Sequence, residues 1–86
     1  MKVVAKPIDV VCWFDKEGIH PVRFRLRESE DIDMVIKIDK VTSKHLEKLA
    51  GNKMMVFDCQ SIVNHKEQKY QIKYELDTCH WILFKI

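Results

Sequence analysis

Val22-Arg23-Phe24-Arg25-Leu26-Arg27 alternates apolar and cationic side chains without a break. In an extended chain successive side chains point to opposite faces, so Val22, Phe24 and Leu26 line one face and the three arginines the other. A helix would scatter both sets around its circumference, whereas a strand gives each a use: one face for a core, one for water. The same period of two runs on both sides of this segment. Upstream, Ile8, Val10, Cys12 and Phe14 share a face against Asp9 and Asp15, and Asp15-Lys16-Glu17-Gly18 reads as a tight turn in which Gly18 supplies the positive φ of a bulged hairpin loop. Downstream, Glu28-Ser29-Glu30-Asp31 reads as a polar turn. Ile32, Met34, Ile36 and Ile38 then alternate with Asp33, Val35, Lys37 and Asp39. Three consecutive strands joined by short loops form an antiparallel meander.

The pattern then changes. Thr42 to Ala50 contains good helix formers, Thr42 or Ser43 is placed to cap, and Gly51-Asn52 is a common helix stop. The expectation is a short helix whose narrow stripe of Leu46, Leu49 and Ala50 docks on the sheet, because so few turns are marginal alone. Strands resume at Met54, with Phe57 and Cys59 inward, Asp58 and Gln60 outward, and a bulge expected at Ser61-Ile62. Asn64-His65 reads as a tight turn, and Tyr70, Ile72, Tyr74 and Leu76 alternate with Lys69, Gln71, Lys73 and Glu75. Asp77-Thr78-Cys79 turns the chain into a last strand, His80 to Ile86.

These elements predict one all-β domain over residues 1–86. It is a small six-stranded antiparallel barrel or sandwich, OB-like or SH3-like, made of two three-stranded meanders with one short helix between strands 3 and 4. The two halves share a layout, which an old duplication or convergent strand patterning would each explain. Eighty-six residues, 47% of them apolar, with two glycines and two prolines, exclude a disordered or low-complexity chain and allow one modest core. No apolar run approaches the roughly 20 residues of a membrane-spanning helix, and the first residues lack the apolar stretch of a signal peptide. Fifteen Lys and Arg against 13 Asp and Glu leave +2, too even a balance to indicate a polyanionic partner by itself. Cys12, Cys59 and Cys79 form an odd, widely spaced set, which predicts reduced thiols in a cytoplasmic protein, with Cys79 the one nearest a turn.

The runs Cys12-Trp13-Phe14-Asp15-Lys16-Glu17-Gly18, Pro21-Val22-Arg23-Phe24-Arg25 and Tyr74-Glu75-Leu76-Asp77-Thr78-Cys79 resemble a family of short, uncharacterised bacterial proteins, a likeness that covers nearly the whole chain. In outline, Arg23-Phe24-Arg25 and the closing Trp81-Ile82-Leu83 are also similar to a small β domain attached to bacterial lesion-bypass polymerase relatives. The first resemblance implies a cytoplasmic bacterial protein, the second DNA-related work; neither supplies functional residues to transfer.

The chemistry-bearing residues are sparse. Only Cys79 and His80 lie close together among candidate metal ligands, and as neighbours they point to opposite faces, so no metal or other cofactor is expected. With Gly18 and Gly51 the only glycines, there is no phosphate loop and no nucleophile elbow, and no enzyme is expected. The arginine stripe is the most informative polar feature. If Phe24 faces Val10 and Ile36 across its neighbours, the outer pairs are Asp9 with Arg25 and Asp33 with Arg27, and Arg23 sits between Val11 and Lys37 without an acid. Alternation puts Trp13 on this outer face with Val11 and Val35, and Trp81 is a candidate to join it from the last strand. The candidate binding face is therefore Trp13, Arg23, Arg25, Arg27, Lys37, Lys73 and Trp81. It suits single-stranded nucleic acid, by stacking on tryptophan with cations on phosphates, or equally a protein partner, including a second copy in a homodimer. A face of ordinary cross-strand ion pairs, or one capped by the helix, are the other outcomes.

Overall fold

A single hydrogen-bonded row of seven antiparallel strands, in the order β3-β2-β1-β7-β6-β5-β4, curls on itself into a half-barrel. The computed structural model describes residues 1–27 and 32–86, so the turn expected at Glu28-Ser29-Glu30-Asp31 lies outside the described residues. The strands are β1 (Val3–Asp15), β2 (Gly18–Arg27), β3 (Asp33–Lys37), β4 (Lys40–Leu49), β5 (Asn52–Val63), β6 (Lys66–Glu75) and β7 (His80–Lys85). The long β1 serves two neighbours: Val3 to Ile8 pair with β7, and Asp9 to Asp15 pair with β2. It thereby joins a three-stranded meander to a four-stranded one. No helix among the described residues is long and apolar enough to cross a membrane.

The first meander follows the sequence pattern closely. Phe24 lies opposite Val10 on one side and Ile36 on the other, and Gly18 takes a φ of 120° at the end of the first hairpin. The expected helix is absent. Thr42 to Leu49 belong to β4, which pairs with β5 from Lys40 opposite Gln60 to Leu49 opposite Asn52. Ala50 and Gly51, at φ 50° and 84°, make the two-residue turn between them, so the residues that resembled a helix stop close a hairpin instead. Helix propensity is a weak prior over nine residues, and a ladder with β5, interrupted once between Val41 and Ser43, overrides it. The count accordingly rises from six strands to seven, and the sheet is not closed as an OB-like or SH3-like barrel.

The bulge expected at Ser61-Ile62 is also absent, since β5 and β6 stay in register from Met54 opposite Glu75 to Val63 opposite Lys66. Ser61 has another use. Its buried hydroxyl donates to the carbonyl oxygen of Lys37 at 2.6 Å and accepts from the Tyr70 hydroxyl at 2.6 Å. Around it, Ile38 N–H donates to Val22 O (2.9 Å), Asp39 N–H donates to Gln60 O (3.2 Å), and the Asp39 carboxylate accepts from Ile62 N–H (2.7 Å). These bonds stitch the β3–β4 connection to β5 and hold the half-barrel curled around its core.

That core is built from the inward faces of both meanders. Phe24 and Tyr70 meet across the curl at 5.4 Å between ring centroids, and Phe57, Ile72 and Leu83 fill the middle. Burial pushes the Tyr70 hydroxyl and the Cys59 thiol each up to about 12. Trp81 is here rather than on the outer face: it is 8% exposed, opposite Ile8 and Tyr74, with its ring 4.8 Å from Tyr74 and 5.6 Å from Phe57. Phe14 departs from expectation in the other sense. It has the inward parity but lies beside the β1–β2 turn and is exposed.

Candidate binding face

The outward side of β1, β2 and β3 is set by cross-strand register. Asp9, Arg25 and Val35 form one row, and Val11, Arg23 and Lys37 the next. A bulge follows between Val11 and Cys12, and beyond it Trp13 lies opposite His20. The extra β2 residue in a bulge increases local twist and re-aims the side chains past it.

The arginines divide by partner. Arg25 donates to Asp9 Oδ2 from Nη2 at 2.8 Å and from Nε at 3.2 Å, and its Nη1 lies 3.8 Å from Asp33. Asp9 first, and Asp33 less, raise the Arg25 guanidinium above its ordinary value. Arg27 donates to Asp33 Oδ1 at 3.3 Å. Arg23 and Lys37 form no ion pair among the described residues. Exposed Val11 and Val35 flank a shallow depression of about 270 Å³ between Arg23 and Arg25.

Trp13 is 52% exposed, and one side of its indole is occupied by His20, stacked at 3.9 Å and 19° from parallel. His20 is fixed in turn, with Nε2 at 2.9 Å from Asp15 Oδ1. The same carboxylate accepts from Glu17 N–H at 2.8 Å. The His20 bond, then the backbone N–H groups of Glu17 and Gly18, hold the Asp15 carboxyl below its usual range. Asp15, His20 and Trp13 thus form a braced platform on a hairpin. Bracing lowers the ordering entropy a ligand would otherwise cost when it stacks.

Two expected members are elsewhere. Trp81 is in the core, because Trp81 and Leu83 share the parity that faces Tyr74 and Ile72. Lys73 is on the outward side of the other meander, 6% exposed, with Nζ 3.0 and 3.1 Å from the Glu47 carboxylate and 3.6 Å from the centre of the Phe84 ring. Its cation is already neutralised and covered.

A second depression, a groove of about 470 Å³, opens where the β1–β2 hairpin approaches β4 across the unclosed seam. Trp13 and His20 border it on one side and Lys40, Ser43 and Lys44 on the other. The sequence reading missed these lysines because it placed Lys44 in a helix and left Lys40 in the connection before it; the β-branched Val41-Thr42 was the available signal for a strand. Among the described residues no three His, Cys, Asp or Glu side chains converge as a metal site. Cys12 is half-buried, Cys59 buried and Cys79 exposed, all three as free thiols. No protein-family model, curated protein or solved structure matches this chain.

Proposed function

We propose that this protein is a small non-enzymatic module that binds single-stranded nucleic acid on the outward face of β1–β3. The observation that carries this reading is the Trp13 platform beside Arg23. Trp13 is two residues along β1 from Val11, the cross-strand partner of Arg23, a separation of about 7 Å in an extended strand. A braced indole two residues along the strand and one strand across from a cation can stack a base while the guanidinium meets a phosphate. Arg23 and Lys37 carry the phosphate contacts; Arg25 and Arg27, held by Asp9 and Asp33, mainly orient the face. A reducing bacterial cytoplasm is the setting that suits this role and the three free thiols.

The test is titration with a labelled oligothymidylate of about eight nucleotides at several salt concentrations. Expected is binding that weakens steeply with salt, loses about tenfold or more on Trp13→Ala, and has its salt slope reduced by about one unit on Arg23→Ala. No binding at low salt, or binding indifferent to Trp13, overturns the reading. The exposed Val11 and Val35 favour one other reading, a protein partner or a homodimer seam on the same face. Association that barely responds to salt and survives Arg23→Ala, with the mass of a dimer in solution, would establish it instead.

A further inference from the structure

The seam groove combines a floor from the core with walls of opposite character. Ile19, Pro21, Ile38 and Phe57 make the apolar floor. On one side stands the Trp13–His20 stack, on the other the strand carrying Lys40 and Lys44. At about 470 Å³ the hollow lies within the range of small-molecule pockets and is large enough for one planar ring system with its substituents.

Charge within the groove is one-sided. Among the described residues Asp39 is its one acidic lining residue, and its carboxylate accepts from the Ile62 N–H at 2.7 Å. Ser43 is likewise committed, donating to the Asp58 carboxylate, which also accepts from Gln71; the two bonds hold that carboxyl below its usual range. Lys40 forms no ion pair among the described residues, and Lys44 reaches only the carbonyl oxygen of Glu17, at a long 3.5 Å. Two exposed ammonium groups thus face an aromatic wall across an apolar floor. An uncharged hydrophobic occupant would leave the cations unused, and a cation would be repelled. The complementary occupant has a flat ring and an anionic group attached to it.

We infer that the seam groove receives one nucleotide unit of a bound single strand, its base against the Trp13–His20 wall and its phosphate between Lys40 and Lys44. This rests on the single-strand reading above and extends it. Trp13 borders both the sheet face and the groove, so a strand crossing Arg23 and Lys37 can continue past Trp13 into the seam without leaving protein. The bound path then turns from the outward face of β2 toward β4; β2 is second in the strand order and β4 is last, and the curl brings them together.

The test uses the full chain and the same oligothymidylate. Lys40→Gln/Lys44→Gln removes both groove cations at exposed positions, where folding is insensitive to the change. Lys48→Gln is the matched control: it removes a cation of the same strand, also exposed, about 13 Å from Lys44 and so beyond a Debye length at physiological salt. Expected is a loss of about 5- to 10-fold in affinity and a shallower salt slope for the double variant, against little change for Lys48→Gln. Thymidine 5′-monophosphate, as a second probe, should shift amide resonances of β4 and the β1–β2 hairpin tip while sparing β3. An oligonucleotide that binds through Trp13 and Arg23 but treats the double variant like Lys48→Gln overturns the groove and leaves the sheet-face function standing. Absence of oligonucleotide binding to the parent protein overturns both. Binding of the mononucleotide alone overturns the strand path and leaves a free-nucleotide pocket in its stead.

Discussion

The outward side of the curled sheet sets a cation near an aromatic ring in each meander, and treats the two oppositely. In β4–β7 the cation is Lys73, sunk beside Phe84 and paired with Glu47, with Val56 next to it only 1% exposed. In β1–β3 the ring is Trp13, half exposed, and the nearby Arg23 has no acid among the described residues. Each cation has a strand on both flanks; the Trp13 ring does not. β6 lies between β5 and β7, so Lys73 has Val56 on one flank and Ile82 on the other, and its stem packs as an apolar side chain. The Trp13 end of β1 has β2 on one side only, because β7 pairs with β1 no farther than Ile8. The outward ring is left available where the sheet narrows to a hairpin.

The two tryptophans give the harshest test of that contrast. Trp81, 8% exposed among Tyr74, Phe57 and Ile8, should cost about 3–5 kcal/mol on replacement by Ala. A domain of this size has roughly 5–10 kcal/mol in total, so Trp81→Ala should be partly unfolded at room temperature by circular dichroism. A Trp81→Ala protein that melts like its parent would mean that β7 presents its other face to the core.

How far the sequence anticipated this arrangement follows from the same geometry. Asp9–Arg25, Arg27–Asp33 and the lone Arg23 were legible because short loops join three strands whose alternation is uninterrupted, and a one-residue slip would turn Phe24 out to water. β4 was not legible. Nearly all of it is exposed, so it carries no buried alternation, and Leu46, Leu49 and Ala50 fit a helical stripe as well as a half-used strand. Misplacing β4 hid the groove lysines, and it also hid Glu47, without which Lys73 read as a free surface cation. Trp81 was misassigned for a different reason: in Trp81-Ile82-Leu83-Phe84 both faces are apolar, and alternation alone does not say which is inside.

A smaller effect separates the ion pairs. Removing the Glu47 charge with Glu47→Gln leaves the Lys73 ammonium, whose side chain is 7% exposed, without its counterion. A loss of about 2–3 kcal/mol is expected, less than for a fully buried pair because Glu47 itself is a quarter exposed. Asp9→Asn removes the partner of Arg25 at a site where Asp9 is 72% exposed, and there the denaturant midpoint should hardly move. Equal losses in urea unfolding of the two variants would show that burial does not separate the two ion pairs.

The effect on which the binding face depends is also small. Trp13→Ala removes the stack on His20 and the buried half of the indole, while Val11, Arg23 and the ladder with β2 stay in place. The loss of stability should be no more than about 1 kcal/mol, a surface aromatic pair and little else. Fluorescence offers a direct control, since Trp81 is the only other indole in the chain. The parent protein should show one emitter open to iodide and one protected, and Trp13→Ala should retain only the protected, blue-shifted emission of Trp81. If Trp13→Ala instead falls as far as Trp81→Ala while remaining monomeric, the indole packs across the seam as core. The hairpin would then have no platform to offer, and Arg23 alone would be an exposed cation like any other.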